Sequence, residues 1–197
     1  EYLRFQKEGI EVWWAVNCGS RHPYPNWYVD YPAIDHRIHL WMVWKYKING
    51  ILDWSVNAWD WNWPHTTGNY DEPLWPGKPW NPTNYGGKNG WNGDGYLIYP
   101  GPNEKPLSSI RFEVIRDGIE DYEYLYNLRE GIKILRAKDI NKYQRLIKES
   151  EKLLKIDESV VKSLTEYTKA LGKIYEIRGK LASQIEKIKE ALKAEKM

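Results

Sequence analysis

The sequence has a single cysteine, Cys18, in 197 residues. No internal disulfide framework can exist, and the fold must rest on burial and hydrogen bonding. No apolar run approaches the ~20 residues of a membrane-spanning helix. Charge of either sign is also not in excess: the formal net charge is +2 and the pI about 8.4. That balance gives no electrostatic case for nucleic acid or a membrane surface as partner. His36 and His39 stand three apart with no third ligand at convincing spacing, so no metal is expected, and no cofactor. Glu1-Tyr2-Leu3-Arg4 is neither an initiator methionine nor a signal peptide. The chain is expected to begin inside a longer protein or after processing.

The second half lacks tryptophan and histidine altogether. All 12 Trp lie between Trp13 and Trp91, all four His between His22 and His65, and the last proline is Pro106. Beyond it the chain is rich in Lys, Glu, Leu and Ile. An aromatic, Pro/Gly-punctuated half is followed by a helical one.

The stretch Asn49 to Trp61 organises the first half. After the Asn49-Gly50 turn signal, Ile51, Asp53, Ser55, Asn57 and Trp59 share one parity; Leu52, Trp54, Val56 and Ala58 share the other. Alternation of this kind predicts a strand with an apolar face and a polar one. A strand in a helix-covered parallel sheet is apolar on both faces, so the polar parity asks for a cavity. Before it, Glu1–Lys7 reads as a helix end stopped at Gly9. Ile10–Cys18 reads as a buried strand, Gly19–Pro32 as a loop, and Ala33–Tyr46 as a helix. Strand, helix, strand is a parallel crossover unit.

Asp60–Asn92 is a long loop whose five Trp argue for burial or binding. Asp94–Tyr99 predicts a third short strand, closed by Pro100-Gly101-Pro102. Ser108 is placed as N-cap of a helix to about Arg129, with Arg111 where a capping box would want Glu. Asp139–Lys155 predicts another helix. Asp157 or Ser159 is expected to cap a last one, with Leu164, Tyr167, Leu171, Ile174, Leu181, Ile185, Ile188 and Leu192 as its seam. The expected fold class is α/β: the C-terminal part of a (β/α)8 barrel, with about three parallel strands and their helices over residues 1–131, then an α-helical hairpin over 132–197. Three parallel strands leave two open edges. The expected partner is therefore the missing N-terminal barrel half or a second copy.

Three segments then carry a resemblance. EVWWAVNCGSRHPYPNWYVDYPAIDHRIHLWMVWKYKINGILDWSVNAWDW (Glu11 to Trp61), NGDGYLIYPGP (Asn92 to Pro102) and PLSSIRFEVIRDGIEDYEYLYNL (Pro106 to Leu128) resemble the C-terminal portion of glycoside hydrolase family 123. Ser163 to Ile185 resembles the tail that often follows. The resemblance implies a (β/α)8 barrel that cleaves β-linked N-acetylgalactosaminides with retention and substrate assistance. The sugar's acetamido oxygen attacks the anomeric carbon, one carboxylate steadies the intermediate, and a second acts as general acid. The family's adjacent Asp-Glu pair belongs to an earlier strand. Asp71-Glu72 lies in the long loop before Pro73, the wrong element, and the catalytic roles are not carried onto it. No catalytic residue is assigned here.

Barrel sites form at the C-terminal ends of strands, which selects the sugar-binding candidates. Asn57 offers a donor and an acceptor to hydroxyls or an acetamide. Trp59 offers a flat face to a pyranose; the competing reading for both is packing. Arg21, His22 and Tyr24 follow the first strand, and Tyr99 ends the last. Asp53 lies deeper and is either a buried carboxylate with a raised pKa or one paired with a basic residue, a structural role being favoured because buried charges are normally paired. Asn92-Gly93-Asp94-Gly95 is read as turn chemistry, at the opposite end from Tyr99 unless the loop folds back. Arg116, Asp117, Glu120 and Asp121 suggest an ion-pair network, since Asp117 and Asp121 at i and i+4 need a cation nearby. Cys18 is read as a small buried hydrophobe. The expected function is a glycoside hydrolase piece that supplies a sugar-binding wall and is inactive without the upstream half. The alternatives are a non-catalytic carbohydrate-binding module or a structural, barrel-completing subunit.

Overall fold

The structure, a computed structural model, describes residues 2–57 and 93–194. The chain divides into two compact units, residues 1–36 with 48–116, and residues 37–47 with 117–197.

The first unit is built on a parallel pair. β1 (Trp13–Val16) and β2 (Gly50–Asp53) run side by side in the register Trp13↔Gly50 to Val16↔Asp53. Helix α2 (Ala33–Lys45) is the intervening crossover, as a parallel pair requires. The short α1 (Tyr2–Lys7) stops at Gly9, whose φ of +82° suits a residue without Cβ. Asn49 ties the strand entrances together. Its Oδ1 accepts from Val12 N and Gln6 Nε2, both at 2.9 Å, and its own N donates to Val12 O at 2.9 Å. Gly50 is required beside it, because the Trp13 ring lies 2.6 Å from where a Cβ would stand.

The two parities of β2 have different surroundings. Val16 and Ile51 pack with Trp27, Leu97 and Ile115. Asp53, of the same parity as Ile51, turns inward with it, while Leu52 is 51 % exposed and Val56 37 %. The apolar parity is therefore the outer one among the described residues. The inner one is selected by the apolar partners Leu97 and Ile115, which cover Ile51. Among the described residues regular pairing ends at Asp53 and Asn57 returns as an antiparallel bridge to Tyr96; Trp59, the expected strand end, lies outside them.

The expected third strand takes another form. β3 (Ile98–Pro100) pairs antiparallel with β4 (Pro106–Ser108). A 3-10 turn over Pro102–Glu104 reverses the chain between them. Two prolines around Gly101 prevent a long extended run and favour this reversal. Among the described residues the parallel sheet has two strands.

Helix α3 (Ile110–Asp139) is capped by Ser109, whose Oγ accepts from Phe112 N at 3.1 Å. The expected cap, Ser108, hydrogen-bonds the Glu113 carboxylate instead. α3 runs past Arg129 because nothing there breaks it. Gly131 is tolerated in its interior, where Ile188 packs 3.2 Å from its Cβ position, and residue 131, the expected boundary, lies within this helix.

The second unit holds the helical seam. Ile174, Leu181 and Ile188, seven apart on α5 (Leu171–Lys193), are buried, as are Tyr143 and Ile147. α4 (Gln144–Leu153) packs on α5, and Gln184 Nε2 donates to Ser150 Oγ at 3.0 Å in their interface. Both helices start later than the sequence suggests. Asp139 Oδ1 accepts from Asn141 N and Lys142 N, each at 2.9 Å, and turns the chain ahead of α4. Ahead of α5, Val160 and Val161 are fully buried and Val161 bridges Tyr167. Ser163 Oγ accepts from Thr165 N and Glu166 N in the turn between them. A β-branched pair followed by a serine turn favours this small hairpin over helix, so Leu164 and Tyr167 leave the seam.

Arg37 is the polar centre of that unit. Its Nε and Nη2 donate to Asp121 at 2.6 and 2.8 Å, and Nη1 lies 3.7 Å from Asp117. Trp41 Nε1 donates to Asp121 at 2.9 Å, and Arg178 bridges Asp121 and Glu120 at 3.4 and 2.8 Å. These arginines are the cations that Asp117 and Asp121 need. Burial opposes the Arg37 charge, but the Asp121 bonds outweigh it and hold its pKa above the ordinary arginine value. Gly118 lets the backbones meet, since Arg37 O lies 2.9 Å from its Cβ position.

Candidate active site

The polar groups of the first unit gather where β2 ends. Asp53 is the last residue of β2, opposite Val16 at the end of β1, and thus at the C-terminal edge of the parallel pair. Its carboxyl accepts from the Trp54 backbone N–H. The Trp54 indole Nε1 donates to Asp94 Oδ2 at 3.0 Å. Asp94 is buried. Burial first, and the neighbouring Asp94 charge second, push the Asp53 pKa up to about 7. Burial also raises Asp94, against the indole hydrogen bond and Arg111. Two carboxyls in one low-dielectric place do not readily ionise together.

Arg111 closes the group. From the first turn of α3 its Nη1 donates to Trp27 O at 2.7 Å and Gly93 O at 2.8 Å. Its Nη2 donates to Tyr96 O and, at 3.3 Å, to the Tyr99 hydroxyl. The segment 93–99 thus folds back, and Asp94 and Tyr99 belong to one wall. The two glycines of Asn92-Gly93-Asp94-Gly95 are dictated by this packing as well as by the turn. Both have positive φ, +80° and +75°. A Cβ on Gly93 would stand 2.8 Å from Arg111 Nη1, and one on Gly95 would collide with the Trp54 ring.

The predicted sugar residues distribute unevenly around this centre. Asn57 is exposed and bridges Tyr96, while Val56 O accepts from Leu97 N at 2.9 Å and Ile98 N at 3.1 Å. Asn57 and Tyr99 are therefore brought to the same segment. Arg21 sits close enough to Tyr28 to draw its pKa down. The net Tyr28 shift is upward, through burial and then the Asp94 charge. His22 stacks on Tyr31 at 3.9 Å between ring centroids, its backbone N donating to the Tyr31 hydroxyl at 2.8 Å. Tyr24 is 45 % exposed, its N bonded to Arg21 O at 2.9 Å. Trp59 and Asp71-Glu72 lie outside the described residues. The chain's other Asp-Glu dipeptide, Asp157-Glu158, belongs to the turn before Val160, where Ser159 bonds hold the Asp157 pKa low. Cys18 is half-buried, with a free thiol.

His36 is a structural histidine. Its Nε2 donates to Tyr28 O at 2.9 Å, a carbonyl being only an acceptor, and burial keeps its pKa low. Among the described residues no group of three or more His, Cys, Asp or Glu could hold a metal ion. A cleft of about 620 Å³ in the second unit is floored by Ile134, Ile185, Ile188 and Leu192, and none of the predicted sugar residues lines it.

Three participants were undervalued in the sequence reading: Asp94, Trp54 and Arg111. One signal for Arg111 was available. A cation in the first turn opposes the helix dipole, typically by about 0.3–1 kcal/mol, so an arginine there points to an external set of acceptors. Chemically, the cluster combines a carboxyl whose pKa is raised by burial, a carboxyl fixed by an indole, a phenol and an amide. That is a donor and acceptor set suited to a polyhydroxylated ligand.

The catalytic class follows from comparison of the chain with known families. The family described as Glycoside hydrolase 123, catalytic domain, matches residues 2–128, a span holding β1, β2, Asp53, Asp94 and Arg111. The chain belongs to that glycoside hydrolase family. Comparison with curated proteins gave no match.

Proposed function

We propose that this chain supplies one wall of a pocket for β-linked N-acetylhexosaminides of the N-acetylgalactosaminide type, in a retaining, substrate-assisted hydrolase. The observation that carries the reading is the Asp53–Asp94–Arg111 group at the C-terminal edge of the parallel pair, within the span that matches a glycoside hydrolase catalytic domain. In this reading β1, α2 and β2 are part of a (β/α)8 barrel, whose sites form at that edge. Asn57 and Tyr99 hold hydroxyls or the acetamide; Trp59, Arg21, His22 and Tyr24 extend the wall. The acid and the acetamide-orienting carboxylate come from an earlier strand, on a further segment that completes the barrel. No cofactor takes part.

Calorimetry with N-acetylgalactosamine tests the wall. The 197-residue chain is expected to bind it, and Asn57→Ala to weaken binding by about 10-fold, the loss of one good polar contact. Unchanged affinity in Asn57→Ala would remove that residue from the site. The same chain is expected not to release p-nitrophenol from its N-acetyl-β-galactosaminide. Turnover by the isolated chain would place the acid within it and contradict this division of roles.

A further inference from the structure

We propose that Arg111 is the positioning residue of this site, holding Tyr99 and the Asp94 segment in the one arrangement that presents their polar groups to the sugar. The inference rests on the sugar-site reading above and gives Arg111, there one member of the polar group, a role of its own.

Arg111 is buried, and each terminal nitrogen of its guanidinium serves two acceptors. Those acceptors come from two stretches far apart in sequence. Trp27 O belongs to the loop after β1; Gly93 O, Tyr96 O and the Tyr99 hydroxyl belong to the segment that enters β3. A planar fork can meet four acceptors in its plane, whereas a lysine ammonium is a compact point charge with three donors. The segment is also shaped around this side chain. Gly93 takes a positive φ with no room for a Cβ against Nη1, and Ser109, two residues before Arg111, donates from Oγ to Leu97 O at 2.6 Å. The α3 N-terminus therefore grips residues 93–99 at several points, and Arg111 provides most of them. Its only side-chain acceptor among the described residues is Tyr99, the residue proposed to face the ligand.

Arg111→Lys keeps the charge and loses the fork, and Tyr99→Phe removes only the phenolic hydroxyl, acceptor from Arg111 and donor at once. Amide hydrogen exchange and N-acetylgalactosamine affinity are measured on both variants and on their combination. In Arg111→Lys, exchange is expected to accelerate at least about 10-fold over residues 93–99 and to stay unchanged in α4 and α5. Affinity should fall by about 10-fold, or 1.4 kcal/mol. Because Arg111 acts through Tyr99, the double variant should bind no more weakly than Arg111→Lys alone. Strictly additive losses, or Arg111→Lys with wild-type affinity and exchange, would overturn the proposal. If the wild-type chain fails to bind the sugar, the sugar-site reading falls. The exchange of residues 93–99 then still decides whether Arg111 holds the segment.

Discussion

Replacing Asp121 by alanine is expected to cost the second unit about 3–5 kcal/mol, the usual penalty for breaking a buried pair from one side. Asp121 is fully buried and accepts from Arg37 at two atoms, from Trp41 Nε1 and from Arg178. Its removal leaves the guanidinium of Arg37, itself 2 % exposed at the side chain, with Asp117 3.7 Å away as its nearest carboxylate. The Tyr175 ring, 4.9 Å from the guanidinium carbon, offers partial relief only. Urea unfolding measures the loss. The double replacement Arg37→Met with Asp121→Leu should recover much of it, since the desolvation cost disappears together with the attraction. An Asp121→Ala midpoint equal to wild type would mean that the pair contributes nothing to the fold.

Stability of the wild-type chain should also fall between about pH 4 and pH 7 through Asp53. The unfolded chain releases this proton near 4, whereas burial and the Asp94 charge hold it in the folded chain to about 7. Between those values the native state binds more protons, so the unfolding free energy decreases as pH rises. The contribution is fully present below pH 4 and lost above 7. A shift of this size corresponds to about 4 kcal/mol at most. Because Asp53 is partly exposed and solvent screens it, on the order of 2 kcal/mol is expected. His36 acts with the opposite sign: its lowered pKa costs stability as pH falls below about 6.5. The comparison is therefore between wild type and Asp53→Asn, which removes one contribution and keeps the other. Denaturant unfolding at several pH values should show the variant gaining relative to wild type as pH rises from 4 to 7. A difference independent of pH would mean that Asp53 titrates normally.

Some of this architecture was legible from residue order alone. Helix α2 and the strands on either side of it follow from apolar runs separated by breakers, which is local information. The Ile174, Leu181 and Ile188 seam follows from spacing. The need of Asp117 and Asp121 for a cation was visible as well, although nothing in the sequence identified Arg37, 84 residues from Asp121, as that cation. Other features were hidden for stated reasons. Leu97 and Ile115, the residues that cover the inward face of β2, are far along the chain, so residue order could not name them. The 160–168 hairpin defeats a heptad pattern because Val160 and Val161 gain more by complete burial in a bridge than by continuing a helix. Asp94 looked like a turn residue because its partners, Trp54 and Arg111, are 40 and 17 positions away. Polar side chains that meet across such distances leave no periodicity to read.

The sugar-site account is tested most directly by following the backbone amide signals of the 197-residue chain as N-acetylgalactosamine is added. The account predicts saturable shifts at Asp53, Asn57, Asp94, Tyr96 and Tyr99, with those of α4 and α5 unmoved. Shifts confined to α4 and α5, or none at millimolar sugar, would contradict it.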